Sequence, residues 1–512
     1  MRSSVYASRG IVATSQPLAA EAGLFILREG GNAVDAALAT AITLTVVEPT
    51  SNGLGSDAFA LVSDGERLWG LNGSGALPAA SSLPRAQQPW PETGWLPVMV
   101  PGAPRAWADL HERFGRLPFP KLFAPAVGYA RDGFPLSPVV ARFWRKAADR
   151  FAGPAFSAWQ DTFLPAGFVP RAGAIWRSPA LARTLERIAE TRAEDFYEGS
   201  IAQAIDQAAE ADSGPLRASD LAGHRSLWVD PLSISYHGCE VCELPPNSQG
   251  IVALEALGIL SGRTPADPVE ALHESIEAVK FAFADALERV GDPRDCPAIA
   301  ALLDPGYLRE RAAGIRPTAR PFRPEEPFLG GTVFLAAADR SGLMVSFIQS
   351  NYMGFGSGIV VPGTGIALSN RALCFSRNDG HPNRAGGGRR SYHTLMPGFL
   401  MRGGRPWGPF GVMGGFMQPQ GHLQLVQALI DQGSHPQEAV DRPRWRWDGG
   451  VRVLVEPDFS EEIRRALAQR GHEIVRAGSA DGFGRAQLIL RTADGGFVAG
   501  SDSRADGRAA GW

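Results

Sequence analysis

The sequence predicts an α/β body on three patterns. Helical and strand patterns alternate along the chain, and a helix apolar on nearly every side follows a Gly-Gly break near the N-terminus. A strand–turn–strand unit begins abruptly at Thr332. From Pro17 to Val47 the pattern is two helices joined at Gly30-Gly31, the second predicted to be buried. "SNGLGSDAFALVSDGERLWGLNGSG" then reads as a Gly-rich turn and two short strands around Asp64-Gly65. Helices broken by Pro and Gly follow from "PGAPRAWADLHERFG" to about Ala211.

"SISYHGCEVCELP" reads as a strand pair, "GIVALEALGIL" as an apolar helix, and "EALHESIEAVKFAFADALERV" as a long amphipathic one. The segment Gly314 to Gly331, "GIRPTARPFRPEEPFLGG", is dense in proline and charge without periodicity, which predicts an exposed, irregular connector. Directly after it come "TVFLAAAD", the turn "RSG" and "LMVSFIQS", and the remaining chain alternates strands with helices. No internal repeat interrupts this order.

Composition narrows the function. The 512 residues are 44% hydrophobic and 20% charged, which suits a folded globular chain. The 60 glycines and 40 prolines lack a period, so they indicate tight turns and not a fibre. A formal net charge of -3 gives no field for nucleic acid or acidic membranes, leaving a small molecule as the expected partner. The N-terminus has no apolar stretch of signal-peptide length, so a cytoplasmic location is expected. Cys239, Cys242, Cys296 and Cys374 are too scattered for a disulfide framework, and Cys239-x-x-Cys242 lacks the second pair of a zinc site.

Thr332 is the residue whose placement calls for chemistry. It follows two glycines and an exposed connector, and it heads an apolar strand. β-Propensity alone accounts for most such threonines. A hydroxyl next to an unhindered glycine carbonyl also suits self-cleavage by an acyl shift between Gly331 and Thr332. The freed α-amine of Thr332 then serves as base for its own hydroxyl.

"GGNAVDAALATAITLTVVEPTSNGLGSDAF", "PGAPRAWADLHERFGRLPF", "PAVGYARDGFPLS", "TVFLAAADRSGLMVSF", "FGSGIVVPGTGIALSN" and "GSDSRADG" together resemble the gamma-glutamyltransferase (gamma-glutamyltranspeptidase) family of N-terminal nucleophile hydrolases. The resemblance runs in order from about Ile11 to the C-terminus. It implies an αββα sandwich, two stacked sheets between helix layers, shared by a large fragment (1–331) and a small one (332–512) that stay associated after cleavage. It implies no cofactor, with Thr332 as nucleophile, seven residues before Asp339. Ser350 would orient the new amine, and the N–H groups of Gly414 and Gly415 would hold the oxyanion.

The substrate-gripping positions depart from the family. Its arginine after the first strand pair has no match in "ALPAASSL", Arg85 being nearby but out of register. Its ammonium-binding aspartate falls on Cys374, its two serines on His393 and Thr394, and its asparagine on Tyr352. Losing the ammonium's counter-charge disfavours a glutathione-like substrate. Arg371 replaces a neutral amide residue and suits a carboxylate; whether it serves site or scaffold stays open. These substitutions are most similar to the branch containing oxamate amidohydrolase. That points to an amide bearing a carboxylate, hydrolysed by water. Gamma-glutamyl transfer and an inactive scaffold are the alternatives, and a homodimer stays open.

Other motifs are set aside. No G-x-S-x-G elbow, zincin pair or Walker loop occurs, and His273 is expected on a helix face. "RPRWRWDGG" is expected to form a buried turn with cation–π contacts, and "RNDGHPNRAGGGRR" a mobile loop where the family carries its lid.

Overall fold

The computed structural model of the chain describes residues 2–81, 90–322 and 331–512. Arg85 and the last part of the connector, 323–330, lie outside them. Among the described residues no helix is long and apolar enough to cross a membrane.

Two seven-stranded antiparallel sheets form the centre. The first runs, in spatial order, Arg508–Gly511, Gly10–Thr14, Gly331–Asp339, Met344–Tyr352, Asp57–Ser63, Leu68–Gly73 and Leu227–Val229. The second runs Val5–Ala7, Phe497–Ser501, Arg485–Arg491, Arg405–Met413, Gly398–Arg402, Cys239–Glu243 and Leu232–Tyr236. Side chains alternate across a strand. Phe334, Ala336 and Ala338 therefore join Phe59, Leu61 and Ile348 against Phe399, Met413 and Ile489 of the second sheet, while Val333, Leu335 and Ala337 face the helices.

The helix Ala33–Val47 covers the outer face of the first sheet and is buried along its whole length, as its unbroken apolar sequence requires. Its N-terminus is held by a capping box between Asn32 and Asp35 and by Asp339, whose Oδ2 accepts from the Ala33 N–H at 2.7 Å. Asp339 thus fastens the far end of the strand that starts at Gly331. On the second sheet lie Gly250–Leu260 and Met417–Ile430, with Pro268–Arg289 packed against both. The result is the αββα sandwich.

Two local expectations change. "RPRWRWDGG" makes a cation–π contact, Arg446 over Phe483 at 5.9 Å, but it contains a strand, Trp445–Trp447, and its Arg444 is buried against Asp502 at 2.7 Å. The segment expected to be a mobile loop is tied down: Arg384 and Arg389 both pair with Asp295, and His381 Nε2 meets the Leu287 carbonyl at 2.7 Å. His273 lies on the helix Pro268–Arg289, as expected, on its buried side.

Candidate active site

The site lies at one mouth of the slot between the sheets, and strand register builds it. Gly331 pairs with Tyr352 and Val333 with Gln349, so the single residue Thr332 stands opposite two, Ser350 and Asn351, and the bulge lies in the strand Met344–Tyr352. Ser350 in turn pairs with Asp57 on the next strand. Thr332, Ser350 and Asp57 therefore form a row across three strands.

Hydrogen bonds within the row are directional. The single Ser350 hydroxyl hydrogen goes to the Gly331 carbonyl, so Ser350 Oγ must accept from its other neighbours: the Tyr352 N–H at 2.7 Å and the Thr332 hydroxyl at 3.3 Å. The carbonyl that an acyl shift would attack is thereby polarised by the group that receives the attacking hydroxyl's hydrogen bond. Tyr352 aims its N–H from a φ of 74°, a conformation costly for an aromatic residue. A Cβ on Gly331 would stand 3.1 Å from the Gly354 nitrogen, so only glycine leaves this junction uncrowded.

Beyond Tyr352 lies a buried polar cluster. Arg371 is fully buried, with its guanidinium 4.6 Å from the Tyr352 ring centroid. Its Nη1 donates to Thr394 Oγ1 at 2.8 Å and its Nε lies 3.6 Å from Asp57. Among the described residues, Nε and Nη2 find no hydrogen-bond acceptor. His393 packs against Phe59 and joins Asp57 through Nε2 at 3.0 Å, while its Nδ1 accepts from the Leu395 N–H at 3.2 Å. That pattern assigns the neutral tautomer with its hydrogen on Nε2.

Burial and the Arg371 charge hold the His393 pKa down to about 4. Burial alone raises a carboxylate. The His393 hydrogen bond, the Arg371 charge and the Gly75 N–H outweigh it and keep Asp57 below its usual range. With His393 neutral at pH 7, Arg371 is the counter-charge of Asp57. Burial pushes the Cys374 thiol up, although Arg371 opposes the shift, and burial likewise raises the Tyr352 phenol.

Gly414 and Gly415 follow the strand Arg405–Met413 with φ of 137° and 61°, backbone that a side chain would strain. Their N–H groups donate to no group among the described residues. Gln249 fixes this turn against the cluster, its Nε2 donating to the Thr394 carbonyl at 2.7 Å and the Gly415 carbonyl at 3.0 Å. The structure thus links Thr332 to Ser350 and Tyr352, and Arg371 to Tyr352, Thr394, Cys374 and, through Asp57, His393. Asp57 and Gln249 escaped the sequence reading. The signal for Asp57 was an acid heading an otherwise apolar strand in "GSDAFALV", which has to be paired where it is buried.

Away from this row, His273, Glu277 and His472 bring ligand atoms within 4.8 Å of one another. Those atoms are engaged. His273 Nε2 donates to the Arg316 carbonyl at 2.7 Å, its Nδ1 accepts from His472 Nε2 at 2.8 Å, and Glu277 holds Lys280 at 2.7 Å. The group fastens the described part of the connector to the helix Pro268–Arg289.

A family model described as Gamma-glutamyltranspeptidase matches residues 19–512. The glutathione hydrolase-like YwrD proenzyme of Bacillus subtilis is 34% identical, with 100% of both chains covered. The oxamate amidohydrolase proenzyme of Klebsiella pneumoniae is also 34% identical, again over 100% of both. The crystal structure of cephalosporin acylase from Bacillus halodurans superposes with a TM-score of 0.96 at 48% identity, covering 100% of this chain and 97% of that one.

Proposed function

The chain belongs to the gamma-glutamyltranspeptidase family of N-terminal nucleophile hydrolases, and from that premise we propose that it is a self-processing threonine amidohydrolase for small carboxylate-bearing amides of the oxamate type. The observation carrying the substrate class is the buried Arg371 guanidinium, two of whose nitrogens lack acceptors among the described residues. A carboxylate bound there replaces water with charge-assisted hydrogen bonds in a dry site.

In processing, the Thr332 hydroxyl attacks the Gly331 carbonyl carbon while Ser350 donates to the carbonyl oxygen as it gains charge. Collapse breaks the peptide C–N bond, the nitrogen takes a proton, and water cleaves the resulting ester. Gly331 leaves as a carboxylate and Thr332 acquires a free amine. In turnover that amine takes the hydroxyl proton, Thr332 Oγ1 attacks the substrate amide, and the Gly414 and Gly415 N–H groups hold the oxyanion. The amine then returns its proton to the departing nitrogen. Water completes the cycle on the acyl-enzyme.

A second reading, gamma-glutamyl transfer or hydrolysis, is favoured by Asp57, which restores near Tyr352 and Cys374 a carboxylate able to meet an ammonium. Its existing partners, His393, Gly75 and Arg371, weigh against that role.

Intact mass under denaturing conditions should show fragments dividing at Gly331/Thr332 in the parent and one chain in Thr332→Ala. The processed enzyme should then hydrolyse oxamate-type amides faster than gamma-glutamyl anilides. An uncut parent, or the reverse preference, overturns the reading.

A further inference from the structure

A cavity of about 450 Å³ lies apart from the active-site row, with none of Thr332, Ser350, Tyr352, Arg371 or His393 in its wall. Part of that wall is apolar, from Leu77, Val100 and Leu227, and the rest carries charge. Three arginines, Arg225, Arg294 and Arg390, stand there against two acids, Asp220 and Asp292. The acids are used up. Arg294 closes on Asp292 from Nε and Nη2 at 2.7 and 2.8 Å, and the N–H groups of Arg294 and Arg390 add bonds at 3.0 and 2.8 Å. Asp220 accepts from the Ala79 and Arg217 N–H groups at 2.9 and 3.0 Å.

The other two arginines have no such partner. Arg225 Nη1 donates to the Ala222 and His224 carbonyls, each at 2.7 Å. Arg390 Nη2 donates to the Arg225 carbonyl at 2.8 Å, which brings the two residues side by side, and its Nη1 makes only long contacts, to Asn72 at 3.4 Å and Ser74 at 3.3 Å. Among the described residues neither guanidinium pairs with a carboxylate, so two like charges are held together without an anion to join them. His224 adds a buried ring to the wall, and its Nε2 has no hydrogen-bond partner among the described residues. Burial and then the Arg390 charge hold its pKa down to about 3, so the ring is neutral and keeps one N–H to donate.

We propose that this cavity is a second anion site, which takes a small organic carboxylate, with Arg225 and Arg390 on the carboxylate and Leu77, Val100 and Leu227 against its carbon body. The place of the site ties it to the active-site row. Ser74, which Arg390 contacts, precedes Gly75, whose N–H donates to Asp57 at 2.8 Å. The proposal does not depend on the reading of Thr332 as nucleophile, and no bond is made or broken in the cavity.

The test compares benzoate with benzyl alcohol by calorimetric titration of the full chain, in an Arg371→Met background so that the other buried guanidinium takes no part. Benzoate should bind about tenfold tighter than the alcohol. That preference should fall toward one when Arg225→Glu is added and stay within about threefold with Arg225→Lys. Arg225 is exposed, so both changes should leave the fold intact. Equal binding of the two probes overturns the proposal, as does a preference that Arg225→Glu leaves in place. Inorganic phosphate binding more tightly than benzoate also overturns it, since the apolar wall would then have no role. If the Arg371→Met chain does not fold, a crystal structure of the parent with 4-iodobenzoate decides: an anomalous iodine peak in the cavity beside Arg225 and Arg390 supports the site, and a peak only beside Arg371, or none, overturns it.

Discussion

Two arginine–carboxylate clusters are buried in this molecule, and they differ in how completely they are satisfied. At Asp502 the donors are used up. Arg444 gives hydrogen bonds to the Phe483, Gly484 and Val440 carbonyls and to Asp502, and Arg504 bonds Glu456, Asp502 and the Val440 and Arg442 carbonyls. At Asp57 the arginine is equally buried, yet it makes one hydrogen bond, to Thr394, and an ion pair at 3.6 Å. A buried charge left short of partners costs stability unless something else requires it. The saturated cluster has no donor to spare for a ligand, whereas under the proposed function the unsaturated one would take the substrate's carboxylate.

The sharpest way to break this contrast is to remove each carboxylate or arginine in turn. Asp502→Ala strands two buried guanidinium groups and should destabilise the fold by about 3–5 kcal/mol in urea unfolding, the range for breaking buried pairs. Activity should fall only as the folded fraction falls.

Next in size is an acid effect confined to the site cluster. The His393 pKa drops from 6.5 to about 4 on folding. A depressed pKa means that the folded state favours the neutral form, so the contribution is complete above pH 6.5 and is lost as pH falls through 4. Its size is about 3 kcal/mol. The difference in stability between the parent and His393→Gln should shrink over that window. The saturated cluster, whose Asp502 stays ionised below the usual carboxylate range, should hold to lower pH. A parent–variant difference that is flat from pH 7 to 4 would refute the neutral-histidine assignment.

Arg371→Met should cost stability, because the buried Asp57 loses its counter-charge and keeps only His393 and the Gly75 N–H, and should cost activity beyond the loss of folded protein. Hydrogen bonds to a charged group are worth about 1.5–3 kcal/mol, so kcat/KM on oxamate-type amides should fall about tenfold to a hundredfold. Processing should continue, since Ser350 and not Arg371 bonds the Gly331 carbonyl. A fall in kcat/KM for Arg371→Met no larger than its fall in folded fraction, as expected for Asp502→Ala, would erase the distinction between the clusters.

Much of this was legible in the chain. The buried helix Ala33–Val47 and the hairpin of Gly331–Asp339 with Met344–Tyr352 follow from apolar periodicity and turn residues, and Thr332 drew notice by its place behind two glycines, whereas Ser350 was singled out by the family resemblance. Asp57 was not, because its meaning depends on pairing with Ser350, a register between strands far apart in sequence. The partners of His273 were hidden for the same reason, His472 and Arg316 coming from other segments. The partners of Arg444, carbonyls and Asp502, were hidden likewise. Whether Arg371 serves site or scaffold could not be read from its neighbours in sequence, because its contacts, Thr394 and Asp57, come from other segments.

The smallest expected effect separates backbone from side chain at Tyr352. Its φ of 74° is strained for tyrosine, whereas asparagine enters that region more readily, so Tyr352→Asn should preserve the turn that aims its N–H at Ser350. If processing depends on that N–H, the rate of cleavage at Gly331/Thr332, followed by intact mass, should change by less than about threefold, within roughly 0.7 kcal/mol. Loss of the ring that lies 4.6 Å from the Arg371 guanidinium should appear instead in the KM for carboxylated amides. A strong defect in processing would mean that the aromatic ring, and not the backbone, holds the Ser350 hydroxyl in place, and would tie the two halves of the site together more tightly than their hydrogen bonds indicate.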